Sequence, residues 1–97
     1  MKTKIKYAIV GSGLMGCEHI SNINLIDSAE VVAISDSNEN SINKAKNLIS
    51  NDIKIYSNNN EIFKNNEVDA FIISTPNFTH HDIIKEALKT KKHLLIE

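Results

Sequence analysis

The chain has 97 residues, 41% of them apolar, and a formal net charge of -1, which allows one compact domain and excludes two. All 11 cationic side chains are lysines, no basic stripe marks a nucleic-acid surface, and no run of about 18 apolar residues suggests a membrane span. One cysteine, Cys17, leaves no intrachain disulfide and no cysteine metal cluster; the basic start from Met1 to Lys6 lacks a signal-peptide pattern, so a cytoplasmic location is expected.

In chain order, Ile5 to Val10 is an apolar run that predicts a strand ended by Gly11. Leu14 to about Leu25 predicts a helix, with Cys17, Ile20 and Ile23 near helical spacing. Val31 to Ser35 is a β-branched strand, and Ser37 is expected to cap a second helix with Ile42, Ala45, Leu48 and Ile49 on one face. Ile53 to Tyr56 predicts a short third strand and Glu61 to Lys64 a helical turn or two. Asp69 to Ser74 predicts a fourth strand. Thr79 to Asp82 resembles a capping box opening a helix with Ile83, Ile84, Ala87 and Leu88 inward. His93 to Ile96 predicts a fifth strand. Strands alternating with helices imply parallel pairing through right-handed crossovers. The expected fold is a doubly wound parallel α/β sheet of about five strands, a Rossmann dinucleotide-binding fold over residues 1–97. It is short of the usual six strands at its C-terminal end, so the last strand should sit near an edge that something covers.

Gly11-Ser12-Gly13-Leu14-Met15-Gly16 is a G-x-G-x-x-G loop between a predicted strand and a predicted helix, and its three glycines are the only ones in the chain. Gly11 permits the tight turn, Gly13 lets a pyrophosphate approach the backbone, and Gly16 allows close helix packing. The helix start offers unpaired N–H groups and partial positive charge to phosphates. Asp36 ends the second strand, 20 positions after Gly16, where a carboxylate accepts ribose hydroxyls; a helix-capping role for it is compatible. A 2′-phosphate about 4 Å from that carboxylate meets repulsion of roughly 4 kcal/mol per charge pair at an effective dielectric near 20. With no arginine to offset it, NAD is expected over NADP, although Lys44 offers some rescue.

Ser74-Thr75-Pro76-Asn77 and His80 complete a pattern. With the glycine loop, Met15, His19, Asp36 and the segment from Lys92 and His93 to Glu97, the sequence resembles the glucose–fructose oxidoreductase, inositol dehydrogenase and rhizopine-catabolism family, Gfo/Idh/MocA, over nearly its whole length. The resemblance implies hydride transfer between a nicotinamide and a hydroxyl-bearing carbon of a sugar, inositol or related small molecule. It implies cofactor contacts from Gly11, Ser12, Gly13, Leu14, Met15, Gly16, Asp36, Ser37, Thr75, Pro76, Asn77, His80 and Glu97, with no catalytic residue and no metal in this chain. Two departures stand out. Lys91 replaces a family glycine, so a strained or reshaped turn is expected there. The chain ends at Glu97, before the lysine that the family implies is catalytic and before a substrate domain. This stretch alone is therefore expected to hold the cofactor without turning over substrate, and homo-oligomers are an expectation for a full-length protein.

Several residues keep two readings. Pro76 sets the exit direction of the chain or is a plain loop proline. His80 is structural or cofactor-side. His80 and His81, adjacent on a helix, do not face one another as metal ligands would. His19 is packing or surface. Cys17 is a small buried thiol, with nothing basic placed to activate it. A free-standing NAD(H)-sensing module and a methyltransferase are the competing classes; Thr75-Pro76-Asn77 argues against the second.

Overall fold

The computed structural model describes residues 4–49, 52–75 and 80–96. Five strands form one parallel sheet: β1 (Ile5–Val10), β2 (Ala29–Ser35), β3 (Lys54–Tyr56), β4 (Ala70–Ile73) and β5 (His93–Ile96), in the order β3-β2-β1-β4-β5. Three helices connect them: α1 (Leu14–Asn24), α2 (Glu39–Lys46) and α3 (His80–Leu88), with a short 3-10 helix at Glu61–Lys64. This is the five-stranded Rossmann arrangement the alternation of elements predicts, and β5 lies at an edge as expected.

The period-two alternation of β1 and β4 divides the core in two, and a register shift of β2 opposite Tyr7 and Ala8 puts Val31 and Ile34 on the same face. Ile9, Val31, Ile34 and Ile72 pack on one face with Ile20 and Ile23 of α1 and Ala45 of α2. Ala8, Val10, Phe71 and Ile73 face the other way, against Ile62, Val68, Ile83 and Ala87. Central strands buried on both faces need continuous apolar runs, which is why β1 and β4 carry them. Phe63, on the 3-10 helix, meets Phe71 edge-on with ring centroids 4.9 Å apart, a favoured aromatic geometry.

Several local expectations shift. β2 begins two residues early, at Ala29, while β3 and β4 are one and two residues shorter than expected. Ser37 does not cap α2. Asn38 does, its side chain accepting from Ser41 N–H at 3.1 Å, because the Asp36 carboxylate accepts from Asn38 N–H and holds that residue at the helix entrance. Leu48 lies beyond α2 and Leu88 at the end of α3; both are exposed, since neither has a covering layer above it. Lys91 adopts φ +58°, so the left-handed turn is kept with a lysine in the glycine's place. Thr79, and with it the expected capping box, lies outside the described residues.

Candidate functional site at the carboxyl ends of the strands

β1 has β2 on one side and β4 on the other, so the strand order reverses beside it. In open α/β sheets, ligands bind outside the carboxyl ends at such a switch point. Two segments leave the sheet there: Gly11 to Gly16 after β1, and Ser74-Thr75 after β4, with Val10 paired to Ile73.

The three glycines serve three different needs. Gly11 has φ +90°, a region L side chains rarely enter, and an added Cβ would sit 2.8 Å from Thr75 Cγ2. At Gly16 an added Cβ would collide with the Gly11 carbonyl oxygen and press Ile9 Cγ2 at 3.2 Å, so α1 rests directly on the turn. Gly13 is different. A Cβ there would meet nothing within 4 Å, and its φ of -71° suits any residue. Gly13 is the N-cap of α1, a position glycine suits, but neither a positive φ nor packing demands glycine there, and the bare backbone leaves room for something outside the chain.

Asp36 does more than sequence reasoning assigned to it. Its Oδ2 accepts from Ser12 N–H at 2.9 Å and lies 3.4 Å from Ser12 Oγ, while Oδ1 accepts from Asn38 N–H at 2.8 Å. One half-buried carboxylate thus ties the glycine loop to the start of α2. A carboxylate has about four acceptor positions, which leaves capacity for a ligand hydroxyl. Ser12 is fully buried, and Met15 and Ser37 are exposed at the rim. Leu14 opens α1.

Thr75 is buried against Gly11. His80 begins α3. Pro76, Asn77 and Glu97 lie outside the described residues, and so does the direction of the His80 side chain.

A further element was missed in the sequence, where the Asn58-Asn59-Asn60 run has the look of compositional bias. Asn59 Oδ1 accepts from the buried Ser35 hydroxyl at 2.7 Å, and Asn58 Oδ1 accepts from Asn60 N–H at 2.7 Å. These bonds hold the loop after β3 beside a cleft of about 360 Å³ lined by Ser37, Ser57, Asn58, Asn60 and Asp82. A second cleft of about 340 Å³ lies between α1 and α2, against Ser12, Gly13, Cys17 and Lys44. A cleft larger than either, about 560 Å³, opens at the other end of the sheet among Lys6, Glu30, Asp52, Lys54 and Glu67. Its size does not make it the site: strands enter there, whereas the loops that present free backbone N–H groups are at the carboxyl ends.

Cys17 is half-buried, and its thiol lies 3.5 Å from the Ser12 carbonyl oxygen as a donor. Burial pushes its pKa up, Lys44 pulls it down and Asp36 adds to the rise. A basic group is therefore near it after all, contrary to expectation, because α2 packs Lys44 toward α1; burial still wins, and the thiol is not activated. Among the described residues, no three His, Cys, Asp or Glu side chains gather as metal ligands.

Comparison with known proteins follows the same lines. The family described as "Oxidoreductase family, NAD-binding Rossmann fold" matches residues 5–97. The chain is 29% identical over 93 residues to the myo-inositol 2-dehydrogenase of Thermotoga maritima, covering 96% of this chain and 28% of that protein. It is 32% identical over 93 residues to the 2,7-anhydro-N-acetylneuraminate hydratase of Escherichia coli, covering 96% of this chain and 24% of that one. Among solved structures, it superposes on the myo-inositol dehydrogenase of Lactobacillus casei, crystallised with NAD(H) and myo-inositol, with a TM-score of 0.89 and 25% identity, over 97% of this chain and 28% of that one. The chain thus spans 24–28% of the length of each of these relatives. None of the three is a methyltransferase or a free-standing sensing module.

Proposed function

Because this chain belongs to the oxidoreductase family with an NAD-binding Rossmann fold, we propose that it binds NAD(H) at the carboxyl ends of β1, β2 and β4 as the nucleotide half of a larger dehydrogenase. The observation that carries this reading is Gly13, at the N-cap of α1, where an added Cβ would meet nothing of the chain within 4 Å. A pyrophosphate can lie against that bare backbone and take the N–H groups of the first helical turn, through Leu14, Met15 and Gly16. Gly11 and Ser12 shape the turn beneath it. Asp36, already aimed at the loop, has acceptor capacity for the adenosine ribose hydroxyls, with Ser37 beside it and the Asn58–Asn60 loop walling the adenine side. From the family resemblance we carry over a nicotinamide-side role for Thr75, Pro76, Asn77, His80 and Glu97. These residues bind and orient; no group in this chain is assigned a proton or a bond to break.

When bound, the nicotinamide would supply a hydride acceptor or donor. For the whole protein we infer a substrate carbon bearing a hydroxyl, in a sugar, an inositol or a related small molecule. Its contacts would come from a second domain, and the catalytic group from the lysine that the family pattern has directly after Glu97. The inositol dehydrogenases among the relatives support this class. A cytoplasmic location and a homo-oligomer belong to the same proposal; a single free cysteine and the exposed Leu88, Leu95 and Ile96 near the sheet edge support them. No described helix is long and apolar enough to cross a membrane.

The test is a titration of the chain with NADH and with NADPH. Tighter NADH binding is expected, since a 2′-phosphate would meet the Asp36 carboxylate in a chain that has no arginine to offset it. Tighter NADPH binding would overturn the cofactor choice, and binding of neither would overturn the site.

A further inference from the structure

The last paired residues of β1 and β4 are Val10 and Ile73. Ser74 N–H extends the ladder by one bond, to the Val10 carbonyl at 2.9 Å. There the ladder ends, because Gly11 turns away at φ +90°. The next bond across the gap is made by a side chain: Ser74 Oγ donates to the Gly11 carbonyl oxygen at 2.8 Å. The other end of that same peptide is Ser12 N–H, which donates to Asp36 Oδ2 at 2.9 Å. A peptide unit is planar. The Gly11–Ser12 unit is therefore gripped at its oxygen from β4 and at its N–H from β2, by residues 63 and 24 positions away.

We propose that Ser74 is a positioning residue for the dinucleotide: with Asp36 it sets the plane of the Gly11–Ser12 peptide, and through it the direction of Gly13 and the first turn of α1. The backbone N–H of Ser12 is consumed by Asp36, so it cannot serve a phosphate. Its part is to aim the N–H groups that follow. The same bond couples the glycine turn to Thr75, whose backbone N lies 3.0 Å from where a Gly11 Cβ would be. The two segments on either side of the switch point thus move as one piece. This inference rests on the cofactor placement proposed above.

The experiment uses the 97-residue chain and three measurements on Ser74→Ala and Ser74→Thr: NADH affinity, AMP affinity and thermal melting. AMP carries the adenosine and one phosphate but no pyrophosphate bridge. Ser74→Ala is expected to weaken NADH about tenfold, about 1.4 kcal/mol, while AMP affinity stays within about twofold. Ser74→Thr, which keeps the hydroxyl, is expected to return most of the NADH affinity. If Ser74→Ala does not fold, Ser74→Cys, close in size with a weaker donor, is expected to weaken NADH a few-fold with AMP again spared. NADH affinity within about twofold of the parent would overturn the proposal and leave the site standing, and so would equal losses of NADH and AMP alongside a lower melting point, which mark a purely structural serine. A parent chain that binds neither NADH nor AMP would instead overturn the site itself.

Discussion

At the carboxyl end of the sheet the polar side chains of Ser12, Ser35 and Thr75 are buried. At the amino end Lys4 faces Glu30 at 3.9 Å and Lys6 faces Glu67 at 4.0 Å, in pairs open to solvent. Both ends join β1 to its neighbours, but by different physics. Surface ion pairs contribute little, because water screens them and long side chains lose freedom in forming them. Buried hydroxyls must be satisfied geometrically, and Ser12 and Ser35 are met by Asp36 and Asn59. Buried polar bonds are therefore concentrated where the glycine loop lies, while the larger cleft at the amino end is bounded largely by solvent-facing charged side chains. Volume alone would point to the end opposite the proposed site.

Substitutions can break or sharpen this contrast. The largest effect is expected from Gly16→Ala, whose methyl would strike the Gly11 carbonyl oxygen; a loss of about 3 kcal/mol is expected in a urea melt. Gly13→Ala is the control within the same loop: as a change at the N-cap of α1 it should cost no more than about 1 kcal/mol of stability, yet lower NADH affinity at least about tenfold. A Gly13→Ala chain that binds NADH normally would remove the main support for the site. Asp36→Ala releases Ser12 N–H in a buried setting and should lower stability by about 2 kcal/mol. Lys91→Gly relieves a left-handed lysine and should raise stability by about 1 kcal/mol, a melting shift of roughly 4–8 °C upward; no gain would mean the turn is unstrained. The smallest effect belongs to the amino end. Glu30→Gln should change stability by less than about 0.5 kcal/mol, and 1 M salt should erase the difference. A larger, salt-resistant loss would show the two ends to be more alike than their burial suggests.

The order of elements was legible because it rests on local pattern: apolar runs at Ile5–Val10 and Ala70–Ile73, helical spacing of Ile20 with Ile23, and a glycine loop between strand and helix. The helix cap was half legible. Ser37 and Asn38 are both good cap formers, and the Asp36 carboxylate, by bonding Asn38 N–H, decides between them. The outward turn of Leu48 and Leu88 was not legible, because helical spacing says which residues share a face but not where the covering layer ends.

Gly11 to Gly16 shows where that division falls. Its residue types and its place between β1 and α1 follow from the sequence, since a left-handed turn and a close helix approach each demand glycine locally. Which glycine serves the chain and which leaves space for a ligand was decided by packing: Gly16 abuts the Gly11 carbonyl, while Gly13 faces open space. The grip of Ser74 and Asp36 on one peptide plane was likewise a tertiary outcome. It joins residues 63 and 24 positions apart, and only the parallel register of β1 against β2 and β4 brings them within hydrogen-bonding reach.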